Sequence, residues 1–267
     1  MINGAKKRYD SLLNLLSETG GALVTYSGGV DSTLLLHAAK EVLGDMLLAT
    51  TVVTPYIPKW EVAEARQLAA TMKVKHMVLS LPFPNALRMN PPDHCYTCKK
   101  TLFGTLKEAA TDHGLPCVLD GTNADDILDF RPGLKALREL GITSPLMEAG
   151  LTKQNIRDLS QHIGLPTWNK PSFACLLSRM PVNGRVHEED LNRVEQAEVF
   201  LMNRGFPAVR VRHHGDIARI EVPRDRVGDL ATSDIKHIDA KFKRLGYRHV
   251  TVDLAGYTMG SQSRPAE

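Results

Sequence analysis

The sequence lacks the marks of membrane and secreted proteins. It has no apolar run of about 18 residues, the length that a membrane-spanning helix requires. Residues 1–10 are basic but lack the apolar segment of a signal peptide. We therefore expect a cytoplasmic protein with no membrane partner. In that reducing compartment its four cysteines should be ligands, nucleophiles or core residues and not disulfides.

A strong excess of one charge sign is also missing. The net charge is +3 and the pI is about 8.6, which falls short of the clustered basic surface of a strong nucleic-acid binder. A mildly basic protein suits anionic small molecules, so we do not expect a nucleic-acid partner. The length of 267 residues allows one large domain, or a large domain and a small one.

Strand-like and helix-like segments alternate in the first part of the chain. Short apolar runs typical of buried strands occupy residues 22–26, 46–53, 74–79 and 116–120. Apolar residues at helical spacing occupy residues 6–18, 32–43, 59–72 and 99–113. This alternation predicts an α/β fold with a parallel sheet flanked by helices. Residues 82–93 contain four prolines and are expected to form a loop.

The pattern changes in the last third of the chain. A helix is predicted at residues 188–204, ended by Gly205, and a hairpin at residues 208–213 and 217–222. A helix at residues 233–245 and a strand at residues 249–254 follow. We predict a first domain at residues 1–168, a smaller α+β domain at 169–256 and a polar tail at 257–267.

Residues 27–32 form a glycine-rich loop between the first predicted strand and the following helix. Its glycines allow a phosphate to approach the backbone N–H groups, and the helix N-terminus attracts negative charge. The loop lacks a Walker lysine, resembles the PP-loop of the ATP-pyrophosphatase family and so implies cleavage of ATP to AMP and pyrophosphate. Asp31 is the candidate ligand of Mg²⁺. The candidate ATP-binding residues here are Ser27, Gly28, Gly29, Asp31 and Ser32.

Other candidate ATP contacts follow neighbouring strands. Thr54 comes after the second predicted strand, and Asp120-Gly121-Thr122 ends the fourth. The carboxyl ends of parallel strands form the ligand-binding edge of such sheets, so Thr54 and Gly121 are predicted to lie near the nucleotide. Asp126 or Asp129 could contact metal or substrate, although three nearby aspartates are more often a solvated loop.

Three of the four cysteines suggest a metal or redox site. Cys95 and Cys98 form a Cys-x-x-Cys pair, and Cys175 lies far along the chain. Three thiolates can hold three irons of a 4Fe–4S iron–sulfur cluster and leave the fourth iron for an external ligand. A zinc site completed by His94 and a Cys-x-x-Cys redox pair are equally consistent with the spacing. Cys117 lies in a strand-like run and is predicted to be an inert core thiol.

The chain resembles the LarE-type sulfur transferases, PP-loop enzymes of the adenine nucleotide alpha hydrolase-like fold that serve nickel-pincer nucleotide biosynthesis. The resemblance covers nearly all of residues 27–256, and its most specific segments are Arg131-Pro132-Gly133-Leu134 and Val209-Arg210-Val211-Arg212. It extends to Trp168-Asn169-Lys170 and Ser178-Arg179. It implies ATP-dependent adenylation of the carboxylates of pyridinium-3,5-biscarboxylic acid mononucleotide, followed by displacement of AMP by sulfur. It also implies a homo-oligomer.

The cysteine pattern selects between two branches of that family. One branch sacrifices its own cysteine, and counting back from Ser178-Arg179 places Ala174 at that position. The other branch carries a Cys-x-x-Cys and a third cysteine for a cluster, which Cys95, Cys98 and Cys175 match. We therefore expect catalytic sulfur transfer from sulfide or a cysteine-derived donor through a 4Fe–4S cluster.

The resemblance and the chemistry of the side chains together suggest further site residues. Guanidinium groups bind phosphates and carboxylates through paired hydrogen bonds, and the two arginines at 210 and 212 share one face of a strand. The catalytic candidates are Cys175, Asp31 and Arg179. The substrate-binding candidates are Lys99, Arg131, Ser178, Arg179, Arg210 and Arg212.

Two other enzyme types share some of these features. A cluster-dependent tRNA thiolase also joins a PP-loop to a Cys-x-x-Cys and a third cysteine, but no long basic arm is present. An amide-forming synthetase would use the same loop with ammonia as the nucleophile. The presence or absence of iron, and salt-dependent tRNA binding, distinguish these alternatives.

Overall fold

The computed structural model describes residues 2–127 and 132–257, with side chains from residue 4 onward. The chain forms two compact units. The first consists of residues up to Pro82 together with Asp93–Ser172, and the second of Phe83–Pro92 together with the chain from Phe173. No helix within the described ranges is long and apolar enough to cross a membrane.

The first unit is a parallel sheet with helices on both faces. Its strands are β1 (Ala22–Thr25), β2 (Leu47–Val53), β3 (His76–Ser80) and β4 (Val118–Leu119). Its helices are α1 (Ile2–Ser17), α2 (Val30–Leu43), α3 (Lys59–Thr71), α4 (His94–Asp112), α5 (Pro132–Leu140), α6 (Pro145–Glu148) and α7 (Lys153–His162). The strand order is β3-β2-β1-β4, and all three pairings are parallel. This confirms the predicted sheet.

Alternate side chains of the strands enter two separate cores. Ala22 and Val24 of β1 pack into one cluster with α1, α2 and α7, whereas Leu23 packs into a second cluster with α4 and α5. Successive side chains of a strand point to opposite faces, so both faces of this sheet are buried. The loops after the strands are thereby held on a rigid, fully covered sheet.

Helices α4 and α5 are among those that differ from the sequence prediction. Helix α4 begins at His94 and not at residue 99, so the Cys-x-x-Cys pair lies in its first turns. Helix α5 was not predicted, and it starts with Pro132, whose missing N–H is harmless at the first helical position. Gly133 of α5 lies so close to Lys99 that an added Cβ would stand 2.8 Å from Lys99 Cδ.

The second unit contains a three-stranded sheet and three helices. They are α8 (Glu188–Met202), β5 (Arg210–His214), β6 (Ile217–Glu221), α9 (Val227–Thr232), α10 (Ile235–Arg244) and β7 (His249–Val252). Strands β5 and β6 form the predicted antiparallel hairpin, and β7 adds to β6 in parallel. Gly205 has φ +87°, which confirms its predicted left-handed conformation after α8.

Candidate active site

Residues 27–32 connect β1 directly to α2 at the carboxyl edge of the sheet. Gly29 is the N-cap of α2 and offers no side chain to cap the first N–H groups, which are left to face an anion. Gly28 has φ +68°, and an added Cβ would lie 3.1 Å from Ala65 Cα of α3. A side chain at residue 28 is therefore disfavoured both by the backbone conformation and by close packing.

Two serine hydroxyls brace this loop. Ser27 Oγ and Ser32 Oγ are 3.1 Å apart, and Ser32 Oγ accepts a hydrogen bond from Ser27 N at 3.3 Å. Gly29 N donates to Ser27 Oγ at 3.4 Å. Both hydroxyls belong to the loop that is predicted to bind phosphate. Their hydrogen bonds within residues 27–32 stabilise the loop when no phosphate is bound.

The carboxylate of Asp31 has two partners from other parts of the first unit. Lys153 Nζ lies 2.5 Å from Asp31 Oδ2, and Asn123 Nδ2 donates to Asp31 Oδ1 at 3.4 Å. The side chains of Lys153 and Asp31 are 29% and 22% exposed, so the pair is in contact with solvent. Partly exposed pairs of this kind contribute about 0–1 kcal/mol to stability.

A second lysine contacts the loop through its backbone. Lys170 Nζ donates to Gly28 O at 2.9 Å and to Glu64 Oε2 at 2.8 Å, and it lies over the ring of Trp60. Neither Lys170 nor Lys153 was singled out from the sequence as a site residue. Lys170 lies in a segment that carried the family resemblance, but the pairing of Lys153 with a residue 122 positions away left no local signal.

The ends of β2 and β4 complete the edge around this loop. An added Cβ on Gly121 would lie 3.3 Å from Ser32 N, so the chain after β4 passes close to the start of α2. Thr54 follows β2 and is 4% exposed, and its Oγ1 has no hydrogen-bond partner among the described residues. A buried hydroxyl without a partner is costly, and the contact of Thr54 with a nucleotide stays a prediction.

Asp120 organises the neighbouring loop. It is 4% exposed and accepts hydrogen bonds from Thr122 Oγ1 at 2.6 Å and Ser144 Oγ at 2.5 Å. Lys99 Nζ lies 3.7 Å from Asp120 Oδ2. The predicted substrate contact Lys99 is thus placed beside this loop by α4. Asp126 is buried and accepts a hydrogen bond from Asn123 N, whereas Arg131 and Asp129 lie outside the described residues.

The cysteines of the first unit lie in different environments. Cys95 is exposed and Cys98 half-buried, and they are one turn apart on α4. The Cys98 Sγ and Tyr56 Oη atoms are 3.3 Å apart. Cys117 is half-buried beside β4, and burial raises the pKa of its thiol, which keeps it protonated at neutral pH. Cys117 is thus less buried than the predicted core position, and its inert role stays a prediction.

The donor atoms of the structure fit magnesium better than a preformed metal cluster. Mg²⁺ commonly takes one or two carboxylates and completes its shell with substrate phosphates and water, and the partly exposed Asp31 can supply such a carboxylate. Within the described ranges, no group of three or more His, Cys, Asp or Glu side chains could hold a metal ion. The described side chains therefore do not by themselves form an iron–sulfur site.

The second unit places Cys175 in a turn that Arg179 organises. Arg179 is 1% exposed and makes a two-pronged ion pair with Glu198 of α8, at 2.9 and 3.2 Å. Its Nη1 donates to Ala174 O at 2.7 Å, to Cys175 O at 3.2 Å and to Ser178 Oγ at 2.8 Å. The Arg179 guanidinium thereby fixes both Cys175 and the predicted substrate contact Ser178.

The other two predicted arginines are also buried. Arg212 pairs with Glu221 at 3.0 and 2.8 Å and donates to Ser178 O. Arg210 lies 5.0 Å from the ring centres of both Phe173 and Tyr257. Burial, with repulsion from nearby Arg179, lowers the pKa of Arg210. The prediction that Arg210 and Arg212 share one face of β5, and their role in substrate binding, stay predictions, because Val211 between them is buried as well.

Comparison with known proteins gives full-length relatives. The chain is 37% identical over 253 residues to a pyridinium-3,5-bisthiocarboxylic acid mononucleotide synthase of Lactiplantibacillus plantarum, covering 94% of this chain and 91% of the relative. It is also 37% identical to an uncharacterized protein of Synechocystis sp., over 97% and 98% of the two chains. No family model matches the sequence.

A more distant similarity is confined to part of the chain. A glutamine-hydrolyzing GMP synthase component from Thermoplasma volcanium is 29% identical over 167 residues, which cover 57% of this chain and 54% of that relative. The synthase of Lactiplantibacillus plantarum, in contrast, matches the chain across both compact units.

Proposed function

Because the chain belongs to the family of the pyridinium-3,5-bisthiocarboxylic acid mononucleotide synthases, the LarE-type PP-loop enzymes, we propose that it makes this type of product. The proposed substrate is pyridinium-3,5-biscarboxylic acid mononucleotide, and the proposed reaction is an ATP-dependent, AMP-forming sulfur transfer. The carboxylates of this substrate would be converted to thiocarboxylates, one at a time.

The observation that carries this proposal is the arrangement around residues 27–32. An uncapped helix N-terminus, a close-packed Gly28 and the carboxylate of Asp31 meet at the carboxyl edge of a parallel sheet. The partnerless Oγ1 of Thr54, a buried atom among the described residues, lies at the end of β2 at the same edge. Such an edge can hold the triphosphate of ATP, with Asp31 as the ligand of a magnesium ion that neutralises it.

The chemical steps follow from the poor reactivity of a carboxylate. A carboxylate oxygen of the substrate attacks the α-phosphorus of ATP, and pyrophosphate leaves. A sulfur nucleophile then attacks the acyl carbon, and AMP leaves with the former carboxylate oxygen. We propose that hydrosulfide or a cysteine-derived donor provides the sulfur, and that Arg179 holds the Cys175 turn in place for this step.

A 4Fe–4S cluster on Cys95, Cys98 and Cys175 is a separate proposal, supported by the cysteine pattern alone. When bound, the cluster would carry sulfide on its fourth iron. Anaerobic analysis of iron and acid-labile sulfide in the wild type and in Cys95→Ala, Cys98→Ala and Cys175→Ala tests it. Retention of iron by the variants, or zinc in its place, would remove the cluster from the mechanism.

We further propose that the smaller unit contributes to substrate binding and to assembly of a homo-oligomer in the cytoplasm. Arg210 and Arg212 of β5 belong to this unit, and we propose that they bind the nucleotide phosphate and the carboxylates, Arg212 while it is held in place by Glu221. Light scattering of the purified protein measures the assembly. A monomer at micromolar concentration would contradict that part of the proposal.

The test of the main proposal is product analysis. The purified chain is incubated with ATP, Mg²⁺, sulfide and the dicarboxylate mononucleotide, and pyrophosphate, AMP and thiocarboxylate are measured by mass spectrometry. We expect AMP and thiocarboxylate in equal amounts, and loss of both in Asp31→Asn but not in Lys107→Met, an exposed lysine of α4. Formation of an amide with ammonia would instead support the amide-forming alternative.

A further inference from the structure

We infer that Lys153 supplies the phosphate-binding cation that residues 27–32 lack, and that it exchanges Asp31 for a nucleotide phosphate when a divalent cation binds. The inference rests on the proposed use of ATP. The only charged side chain within residues 27–32 is Asp31, which repels phosphate. A triphosphate at this loop therefore needs positive charge from elsewhere in the first unit.

The backbone of Lys153 is firmly held. It is the first residue of α7, which is preceded by a capping box in which Thr152 and Asn155 satisfy each other's backbone N–H groups. Lys153 N donates to Asp125 Oδ2 at 2.7 Å. The preceding Leu151 is fully buried, and its carbonyl accepts a hydrogen bond from Ala124 N. The lysine side chain is thus delivered from a fixed point.

The side chain of Lys153 itself is far less constrained. It is 29% exposed, and among the described residues the polar partner of its ammonium is Asp31. Asp31 is the carboxylate that a magnesium ion would take. Once that ion occupies Asp31, the Lys153 ammonium loses its partner while lying within reach of the phosphates that the same ion brings.

Lys170 provides a contrast at the same loop. Its side chain is 12% exposed and is held between Gly28 O, Glu64 Oε2 and the Trp60 ring. Even if the Glu64 carboxylate were lost, Gly28 O and the Trp60 ring would still hold Lys170 at the loop. Lys170 therefore shapes the loop, whereas Lys153 is the lysine whose partner changes.

This exchange predicts that a single variant, Lys153→Met, has a higher affinity for Mn²⁺ and a lower affinity for nucleotide. In Lys153→Met the lysine ammonium no longer competes with a divalent cation for Asp31, and only the longer hydrogen bond from Asn123 remains, so binding of Mn²⁺ alone should become about two- to fivefold tighter. Binding of the Mn²⁺ complex of α,β-methylene-ATP should become about 10- to 100-fold weaker, because a charge-assisted hydrogen bond to phosphate is lost. Lys153→Arg should bind Mn²⁺ like the wild type. Its affinity for the nucleotide complex should lie between those of the wild type and Lys153→Met.

The measurements use the full chain and do not depend on turnover. Free Mn²⁺ is counted by electron paramagnetic resonance, and nucleotide binding is followed by calorimetry, with Lys107→Met as the matched lysine control. Thermal unfolding checks that each variant is folded. A merely structural lysine would weaken both kinds of binding together.

The outcomes separate this inference from the proposed function. If Lys153→Met weakens Mn²⁺ binding, or leaves both affinities unchanged, the exchange is wrong even though the wild type binds nucleotide. If the wild type binds no nucleotide, the proposed function fails and with it the role of Lys153 in phosphate binding. Tighter Mn²⁺ binding together with weaker nucleotide binding would establish the exchange.

Discussion

The two compact units hold their charged groups in different ways. In the first, Asp31 and Lys153 form a pair that solvent reaches, and most contacts around residues 27–32 are backbone atoms and hydroxyls. In the second, Arg179 pairs with Glu198 and Arg212 pairs with Glu221, each through two hydrogen bonds. All four side chains are at most 6% exposed. Exposed charges can change partners, whereas buried ones are fixed. The first unit is therefore suited to exchange and the second to rigid positioning.

The largest effect should come from breaking a buried pair of the second unit. Glu198→Ala leaves the Arg179 guanidinium buried without its carboxylate and also removes the acceptor of Val211 N. Loss of one partner of a buried pair costs about 3–5 kcal/mol, and we expect the free energy of unfolding to fall by that amount. Denaturant unfolding of the full chain measures it.

The matched control for this variant is Gln196→Ala, an exposed position on the same helix. A surface substitution of this kind changes stability by roughly 0.5 kcal/mol or less. Equal losses in the two variants would mean that Arg179 finds other partners, and the contrast between the units would lose its basis.

A smaller effect is expected when the loop of the first unit is given a side chain. Gly28→Ala must adopt φ +68° and bring its Cβ to 3.1 Å from Ala65 Cα. The left-handed conformation costs an L-residue about 1–2 kcal/mol, and the close contact adds to it. We expect weaker nucleotide binding in addition, because the loop must shift away from α3.

Gly104→Ala is the control, since it lies inside α4 with no atom within 4 Å of the added Cβ. Replacing a helical glycine by alanine should stabilise the chain by about 0.5–1 kcal/mol. The two glycine variants should therefore change the free energy of unfolding in opposite directions. A stabilising effect of Gly28→Ala would show that the loop is not tightly packed.

Local sequence features predicted the scaffold better than the site. The apolar runs of β1 and β2 and the loop at residues 27–32 are contiguous, so periodicity and glycine chemistry located them. The start of α4 was predicted five residues too late, because it follows a proline-rich stretch and begins with a histidine and a cysteine, both poor helix formers. Helix α5 was missed because it starts with Pro132-Gly133.

The site residues that escaped prediction are defined by long-range contacts. Lys153 meets Asp31 across 122 positions and Lys170 meets Gly28 across 142, so no pattern within either segment indicates the pair. The sequence likewise offered Arg179 as a phosphate clamp, and it is the fold that reveals the carboxylate of Glu198 beside it. Pairing of this kind becomes visible only when the fold brings distant segments together.

A pH dependence is expected from His76, the first residue of β3. Its Nε2 lies 2.8 Å from Thr51 Oγ1, whose own hydrogen is donated to Tyr26 O, so the imidazole is the donor of this hydrogen bond. Burial, and then the charge of Arg66, lower its pKa below the usual value. The unfolded chain therefore binds a proton first as the pH falls, and the free energy of unfolding should decrease below about pH 6.5.

His76→Gln keeps a donor at this position and cannot titrate. We expect a shallower loss of stability below about pH 6.5 than in the wild type, because the glutamine cannot bind a proton. Unfolding curves on both sides of that pH measure this difference. Parallel curves for the wild type and His76→Gln would contradict the assignment of His76 as a neutral donor.

The smallest effect on stability should come from the pair that we infer to matter most for binding. Lys153 and Asp31 are both in contact with solvent, so their coupling in a double-mutant cycle of Lys153→Met and Asp31→Asn should be about 0–1 kcal/mol. A coupling of several kcal/mol would instead make this a fixed pair like Arg179 and Glu198. A weak pair at the loop leaves Lys153 available to a phosphate, because little stability is lost when its partner is exchanged.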